Sequence, residues 1–456
     1  MVSIGKANFD LSQTIASGTR DFSITFGSRI LLLALTIGTQ SCLAWFLGVS
    51  GRGSYAVCFL FATLLGLLFG VGCDIASIYF VASGRFSLSE GITYAIIYCG
   101  IGSALAITAG LILMQSALPF FNKASPTSFY LALATIPTLL LSLAFLALLT
   151  SVQQFAWFAA ISVLGGLVRL LLTVVFVWLL SWDVNGALLA VLIAGITTIT
   201  ATLLLFCRKN GIVLVRPSFR RLLDMFLYGI RYYLGDVSSQ VNFRLGTIIL
   251  AFFATKEEVG LFAVALQVLG GIMIVPGTLG TLLMPKVAGD QGGKKELVAQ
   301  CARLTALTCG ALLLALASFA KPIVMVLFSP AFLPIVPIIR ILCAGVLVRC
   351  VGKVFAPYLL GMGYPEMVSI SVAIGAAVNV GTLWLLLPVI GLAGAASALV
   401  ISYFVSSTVL TFFFVRFSGL SLRQTFQYAG SDWALIGRTA AQVCRGCGIS
   451  RMLRTR

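Results

Sequence analysis

Histidine is absent from this chain, and acids are scarce, with 13 Asp and Glu against 30 Lys and Arg. Without histidine, no side chain has an ordinary pKa near neutrality for shuttling protons. A zinc site of mixed Cys and His ligands is excluded as well. Only 9% of the residues are charged, whereas a soluble domain carries about 25%. So few charges cannot cover a water-facing surface, and with 60% hydrophobic residues most of the surface has to face lipid. Also missing are a Walker loop, a GxSxG turn and paired carboxylates beside an exposed loop, so the chain shows no catalytic constellation and no nucleotide or other cofactor site. A cleavable leader is not expected, because residues 1–22 are polar and the first apolar run is too long for one.

Of the 11 cysteines, most lie inside apolar segments, among them Cys42, Cys58, Cys73, Cys99, Cys309 and Cys343. There they read as small hydrophobes. Cys444 and Cys447 form a lone CxxC without a second pair, and no metal site is expected from them.

What the chain has in abundance is long apolar runs. They divide into about twelve spans: about 23–47, 55–82, 92–116, 128–150, 156–181, 184–206, 225–253, 259–284, 299–320, 335–360, 366–387 and 391–415. Short turns join them, such as Ser50-Gly51-Arg52-Gly53, Ser83-Gly84-Arg85 and Gly361-Met362-Gly363-Tyr364-Pro365. A β-barrel is excluded, since its strands alternate with period two over about 9–11 residues. The expected fold class is an all-α integral membrane protein.

The net charge of +17 is unevenly spread. With the N-terminus in the cytoplasm, inner segments hold about 18 cations and outer ones about 4. The inner set includes Arg208, Lys209, Arg216, Arg220, Arg221, Lys286, Lys294, Lys295 and the arginines from Arg416 to Arg456; the outer four are Arg52, Lys123, Lys256 and Lys321. This bias predicts that both ends are cytoplasmic. It also replaces a nucleic-acid reading of the charge with one in which the basic tail lies on anionic lipid headgroups.

A short motif recurs. Gly53-Ser54-Tyr55-Ala56-Val57 returns as Gly260-Leu261-Phe262-Ala263-Val264, about 207 residues later. The repeat predicts two six-helix lobes of the same orientation, 23–206 and 225–415, joined by a basic linker at 207–224. A polar N-terminal segment, 1–22, and a basic tail, 416–456, flank them.

Leu47-Gly48, Gly53-Ser54-Tyr55-Ala56, Gly70-Val71-Gly72-Cys73-Asp74, Val259-Gly260-Leu261-Phe262-Ala263, Met284-Pro285-Lys286 and Leu360-Gly361-Met362-Gly363 resemble the corresponding helix ends of the flippases of O-antigen and exopolysaccharide repeat units. The resemblance covers roughly residues 20–415 and leaves the tail unmatched. It implies the multidrug/oligosaccharidyl-lipid/polysaccharide (MOP) exporter superfamily, with a MATE-like arrangement of two lobes, and it implies residence in the bacterial inner membrane.

Ionisable residues inside the spans carry the functional reading. They are Arg29, Arg169, Arg231, Arg244, Arg303, Arg340, Arg349 and Lys353 against Asp74 and Asp236. Each charge at a helix centre costs about 2.5–3.5 kcal/mol on the insertion scale, so each has to snorkel, pair or line water. Arg231, Arg303 and Arg340 lie near span ends and are able to snorkel. Arg349 and Lys353 are spaced i, i+4, which puts both on one helix face with no acid in that span. Arg29, Thr36 and Gln40 form a stripe on span one, falling within about 20° of Arg29. Asp236, Gln240 and Arg244 form another on span seven. The repeat would set Arg29 opposite Asp236; the alternative is that Asp236 pairs with Arg244 or Arg29 to hold the lobes together. Asp74 has two structural readings, a pair with Arg85 or a cap on the inner end of span two. Glu257 and Glu258 read as a solvated outer turn.

A net cationic interior suits pyrophosphate or sugar carboxylates, and arginine binds such oxygens in pairs. Arg29, Arg244, Arg349, Lys353, Gln40 and Gln240 are therefore the candidate substrate contacts, with Asp74, Asp236 and Arg169 as structural or coupling charges. The expected cargo is an undecaprenyl-pyrophosphate-linked oligosaccharide moved by alternating access, with bends supplied by prolines such as Pro276, Pro285 and Pro357. Glycosyltransferases and a polymerase are the expected partners. Rival readings are a multidrug or cation antiporter, a peptidoglycan-precursor flippase and a membrane polymerase or glycosyltransferase. The first conflicts with the internal cations, the second with the lack of further apolar runs after 416, and the third with the short outer loops.

Overall fold

A computed structural model describes residues 11–427, apart from 117, 212–214, 278, 280–282, 284–294 and 363; the side chains of 11–26, 209–210, 231–232, 234–243 and 365 are also outside the described set. Pro285, Lys286, Lys294, Cys444, Cys447 and the tail cations beyond 427 therefore lie outside the described residues, as do the side chains of Arg231, Asp236 and Gln240.

The described elements are helices. In chain order they are α1 (Leu11–Gly70), α2 (Cys73–Ala82), α3 (Leu88–Met114), α4 (Pro126–Ser151), α5 (Phe155–Thr173), α6 (Asp183–Asn210), α7 (Phe219–Phe253), α8 (Lys256–Gly270), α9 (Lys295–Ser318), α10 (Ala320–Phe328), α11 (Ile335–Gly361), α12 (Pro365–Ser418) and α13 (Leu422–Phe426). Among the described residues, eight segments are long and apolar enough to cross a bilayer. This is a multi-pass, all-helical membrane protein.

Two of those segments, 27–70 and 366–418, run to 44 and 53 residues. About 20 residues suffice for one crossing. Each is two helices joined at a left-handed glycine, Gly48 at φ 64° and Gly391 at φ 55°. A Cβ at either place would crowd the following carbonyl. A third break follows α1, where Val71 and Gly72 take φ 34° and 65° before α2 begins. The carbonyls left open there are satisfied by tyrosines: Tyr98 Oη donates to Val71 O at 3.0 Å, and Tyr233 Oη donates to Leu67 O.

The chain forms two compact units. The first comprises 1–237, 247–264 and 322–335, and so adds the corner between α7 and α8 to the N-terminal helices. Its aromatic core joins Phe80 and Phe86 to Tyr94, Phe145, Phe206 and Met225. At the α7–α8 corner the backbones nearly touch. A Cβ on Gly53 would fall 1.7 Å from the Lys256 carbonyl oxygen, and one on Gly260 would fall 2.8 Å from both Gly53 N and Val49 O. These two glycines hold equivalent places in the repeated motif. Glu258, read from the sequence as part of a solvated outer turn, stands in the first turn of α8, and its hydrogen bonds there are exposed. Its carboxylate accepts from Thr255 N at 2.8 Å, while Glu258 N donates to Thr255 Oγ1 at 3.2 Å. This reciprocal pair caps α8.

The second unit comprises 238–246, 265–321 and 336–456. Its core packs Ala302 of α9 against Phe355, Tyr358 and Leu359 of α11 and Phe414 of α12, with the Phe355 and Phe414 rings stacked at 4.5 Å.

Four of the cations are used at helix C-termini, where the last carbonyls lack intrahelical donors and the helix dipole is negative. Lys123 Nζ donates to Leu250 O at 3.2 Å and to Ala254 O at the end of α7. Burial lowers the Lys123 pKa from the ordinary lysine value, with Glu258 and Glu257 pulling it back up. Lys295 Nζ donates to Ser418 O at 3.2 Å, closing α12. Arg303, buried at 8% exposure, donates to Gln424 O and Thr425 O at 3.2 and 3.1 Å and holds α13. Arg340 Nε donates to Ala317 O at 3.2 Å, at the end of α9.

Two expectations follow. Gly260→Val forces side-chain atoms into the Gly53 backbone and should destabilise the protein by about 1–3 kcal/mol or more, read as a lowered midpoint of thermal unfolding in detergent. Arg303→Met strips one buried and one part-buried carbonyl of a charged donor and should cost about 1.5–3 kcal/mol; Arg340→Met, at an exposed site, should shift the same midpoint much less.

Candidate functional site

Two cations of one helix, neither of them used at a helix end, define the site. On α11, Arg349 and Lys353 are one turn apart and leave the helix on the same side. At about 6 Å and an effective dielectric of about 20, two such charges repel by about 3 kcal/mol. That repulsion adds to the cost of placing each in the membrane. The helix is held close to α12 here: a Cβ on Gly352 would lie 2.6 Å from Ser407 Oγ. One turn back on α12, Tyr403 is 3% exposed, and the Arg349 guanidinium carbon sits 5.7 Å from its ring centroid. This is cation–π distance, and it orients the guanidinium without neutralising it. Lys353 is exposed, and its Nζ is 3.9 Å from where a Cβ on Gly277 would stand. Among the described residues the single ion pair joins Arg221 and Glu90, so neither Arg349 nor Lys353 has a described carboxylate partner. An apolar hollow lined by Leu266, Leu269, Met273, Leu342, Val346 and Tyr403 lies in the same unit.

Other expected residues fall elsewhere. Arg29 is an exposed residue of α1 in the first unit. Arg244 is half-buried on α7 in the second unit, on the same helix as Gln240 and Asp236. Gln40 is buried, and its Oε1 accepts from Arg52 at 2.6 Å. Arg52 had been expected as an outer-loop cation. Instead, α1 continues through Gly51-Arg52-Gly53 and buries it to 3% exposure. Arg169 donates to Tyr55 Oη at 2.9 Å and lies 5.6 Å from the Phe59 ring. Its Nε is buried without a partner. Asp74 stands in the first turn of α2, where a carboxylate complements the helix dipole. It makes no pair with Arg85, which lies 5.4 Å from the Tyr79 ring instead.

Tyr403 and Tyr55 were not singled out from the sequence. For Tyr403 a signal existed, because Ser402 with Ser406 and Tyr403 with Ser407 make two polar rows at i, i+4 within an apolar run. Tyr55 was visible only as part of the repeated motif.

Comparison with known proteins agrees with this architecture. The sequence profile of the polysaccharide biosynthesis protein family matches residues 19–285. An uncharacterized membrane protein of Methanocaldococcus jannaschii is 26% identical over 234 residues, a match spanning 50% of this chain and 44% of that protein. Among solved structures, the lipid II flippase MurJ in an inward closed conformation superposes with a TM-score of 0.69 at 17% identity, over 96% of this chain and 99% of the other. An inward-facing multidrug transporter of the MATE family, MOP superfamily, gives 0.64 at 18% identity over 88% and 99%. The MATE transporter VcmN of Vibrio cholerae gives 0.55 at 15% identity over 90% and 100%. The family profile covers more than half of the chain, and the protein therefore belongs to the polysaccharide biosynthesis protein family, with the fold of the MOP superfamily transporters.

Proposed function

We propose that this protein carries an anionic lipid-linked oligosaccharide, an undecaprenyl-pyrophosphate-linked O-antigen or exopolysaccharide unit, across the bacterial inner membrane by alternating access. The observation that carries the reading is the cation pair of α11, Arg349 and Lys353, with no described carboxylate to neutralise it. An unpaired pair of charges at membrane depth is sustainable where it meets water or an anion. Pyrophosphate answers it with charge and with oxygens that a guanidinium fork grips two at a time. Family membership supports a cargo made for polysaccharide assembly. The likeness to a flippase of lipid II supports a lipid-linked one.

In this reading Arg349 and Lys353 hold the headgroup phosphates, and Arg244 and Gln240, in the same unit, add contacts. Gln40 serves to hold Arg52, and Asp74 and Arg169 serve the packing of the N-terminal helices. The chain makes twelve crossings in two six-helix halves, 23–206 and 225–415. The breaks at Gly48 and Gly391 support that count by splitting the two longest helices. Both ends are cytoplasmic, and the basic tail from 416 lies on anionic lipid. The enzymes that build and polymerise the sugar, glycosyltransferases and a polymerase, are the partners this role requires.

The test is transport in proteoliposomes of a fluorescent sugar linked to a polyprenyl pyrophosphate, read by quencher access. Arg349→Ala and Lys353→Ala should each slow transfer by about tenfold or more, corresponding to at least about 1.4 kcal/mol, with folding checked by size exclusion. Arg340→Ala should transfer at the native rate, and an uncharged glycolipid should not be carried. Arg29→Ala tests the first unit's exposed cation separately and should also slow transfer. Native rates for both the Arg349 and Lys353 variants would remove the site, and transport of cationic drugs in preference to the lipid-linked sugar would replace the cargo.

A further inference from the structure

The helix α7 begins with an exposed face that is apolar along one stripe and basic beside it. This helix has 35 residues, whereas about 20 suffice for a crossing. A short apolar stretch, Arg244–Phe253, closes its far end, which leaves its first turns for the headgroup layer. There Phe219, Leu223, Phe226 and Leu227 are exposed, Phe219 to 80%. They fall within about 100° of the helix circumference. Arg220 borders this stripe and is exposed, as is Arg216 just before the helix. On the other side Leu222, Met225 and Tyr228 pack into the aromatic core of the first unit.

The face is held in place. Val215 N donates to Thr93 Oγ1 at 3.2 Å and Ser218 N to Tyr94 Oη at 3.1 Å, so α3 fixes the backbone on either side of Arg216. The Tyr228 ring stacks on Tyr79 of α2 at 4.1 Å, and the Arg85 guanidinium carbon lies 5.4 Å from the Tyr79 ring. Arg85, exposed in the turn between α2 and α3, therefore belongs to the same corner. Arg221 is already engaged there, with Glu90 as its partner and the Phe86 ring 5.7 Å away. That is the single ion pair among the described residues. Arg85, Arg216 and Arg220 thus have no described carboxylate partner, and Asp224, one turn beyond Arg220, does not supply one.

A single arginine near a span end is usually an anchor that fixes topology. Three of them beside a row of exposed aromatic and aliphatic side chains have the pattern of a helix that lies in a membrane surface. Basic corners between membrane helices receive phospholipid headgroups. Zwitterionic lipid would cover the apolar stripe equally well, and the arginines add a preference for net negative charge. We infer that the start of α7 and the α2–α3 turn form a docking surface for an anionic phospholipid. Arg85, Arg216 and Arg220 hold its phosphate, and its acyl chains cover Phe219, Leu223 and Leu227. The surface belongs to the first unit, whereas Arg349 and Lys353 belong to the second, and the inference is independent of the cargo.

The experiment uses the full-length protein in phosphatidylcholine nanodiscs carrying a trace of photoactivatable phosphatidylglycerol, with labelled positions mapped by peptide mass spectrometry. Labelling should centre on segments 83–86 and 216–227 and exceed that by the matching phosphatidylcholine probe by about tenfold or more. Arg85→Gln, Arg216→Gln and Arg220→Gln, each checked by size exclusion, should cut it about fivefold, the equivalent of about 1 kcal/mol per arginine. The double variant Arg438→Gln, Arg445→Gln, in the basic tail, should label these segments as the native protein does. Equal labelling by the two probes, native labelling in all three single variants, or an equal loss in the tail variant would overturn the inference.

Discussion

Hydrocarbon offers a cation no hydrogen-bond acceptor and no counter-charge, and a Lys or Arg at the centre of a membrane helix costs about 2.5–3.5 kcal/mol on the insertion scale. With 30 basic residues and 13 acidic ones, this protein cannot meet that cost by pairing opposite charges. It meets part of it with its own backbone. Lys123, Lys295, Arg303 and Arg340 are placed at helix C-termini, whose open carbonyls are the densest supply of acceptors a helical protein has. Aromatic faces take Arg85 and Arg169, and neutral side chains take Arg52 and Arg169. Against that background Arg349 and Lys353 stand out for what they lack. The Tyr403 ring lies against one of them, and neither finds a described carboxylate.

The fold and, on the proposed function, the cargo are set by different residues. MurJ and the MATE transporters share this architecture at 15–18% identity, so what is held in common is the order and length of apolar helices. An all-helical membrane fold asks little more of a sequence than that, since backbone polar groups are satisfied within each helix. Close backbone contacts such as that between Gly53 and Gly260 then add the small residues that let helices approach. On the proposed function, which molecule is carried has to be argued from the few charged side chains that no helix end and no described carboxylate holds.

Much of this was legible in the sequence, and the misses share a cause. Apolar runs announced the helices because lipid demands them over about 20 residues at a time. The i, i+4 spacing of Arg349 and Lys353 was equally plain, because helix geometry alone determines it. Arg52 was misread because Ser50-Gly51-Arg52-Gly53 has the composition of a turn, yet the helix runs through it and carries the arginine to Gln40. The partners of Arg303 are 121 and 122 residues away, and no local pattern reveals a helix end that distant. The cap made by Thr255 and Glu258 was readable from its three-residue spacing and was obscured by the adjacent Glu257.

In the proposed function Arg349 and Lys353 face a wet site that an anion enters. Electron cryomicroscopy of the protein in lipid nanodiscs, with a water-soluble short-chain prenyl pyrophosphate added, examines this directly. The account expects phosphate density within about 3 Å of the Arg349 guanidinium and the Lys353 ammonium, with water continuous to one face of the membrane. Density showing both groups against acyl chains, or bound to a carboxylate of the chain itself while the pyrophosphate sits elsewhere, would contradict it.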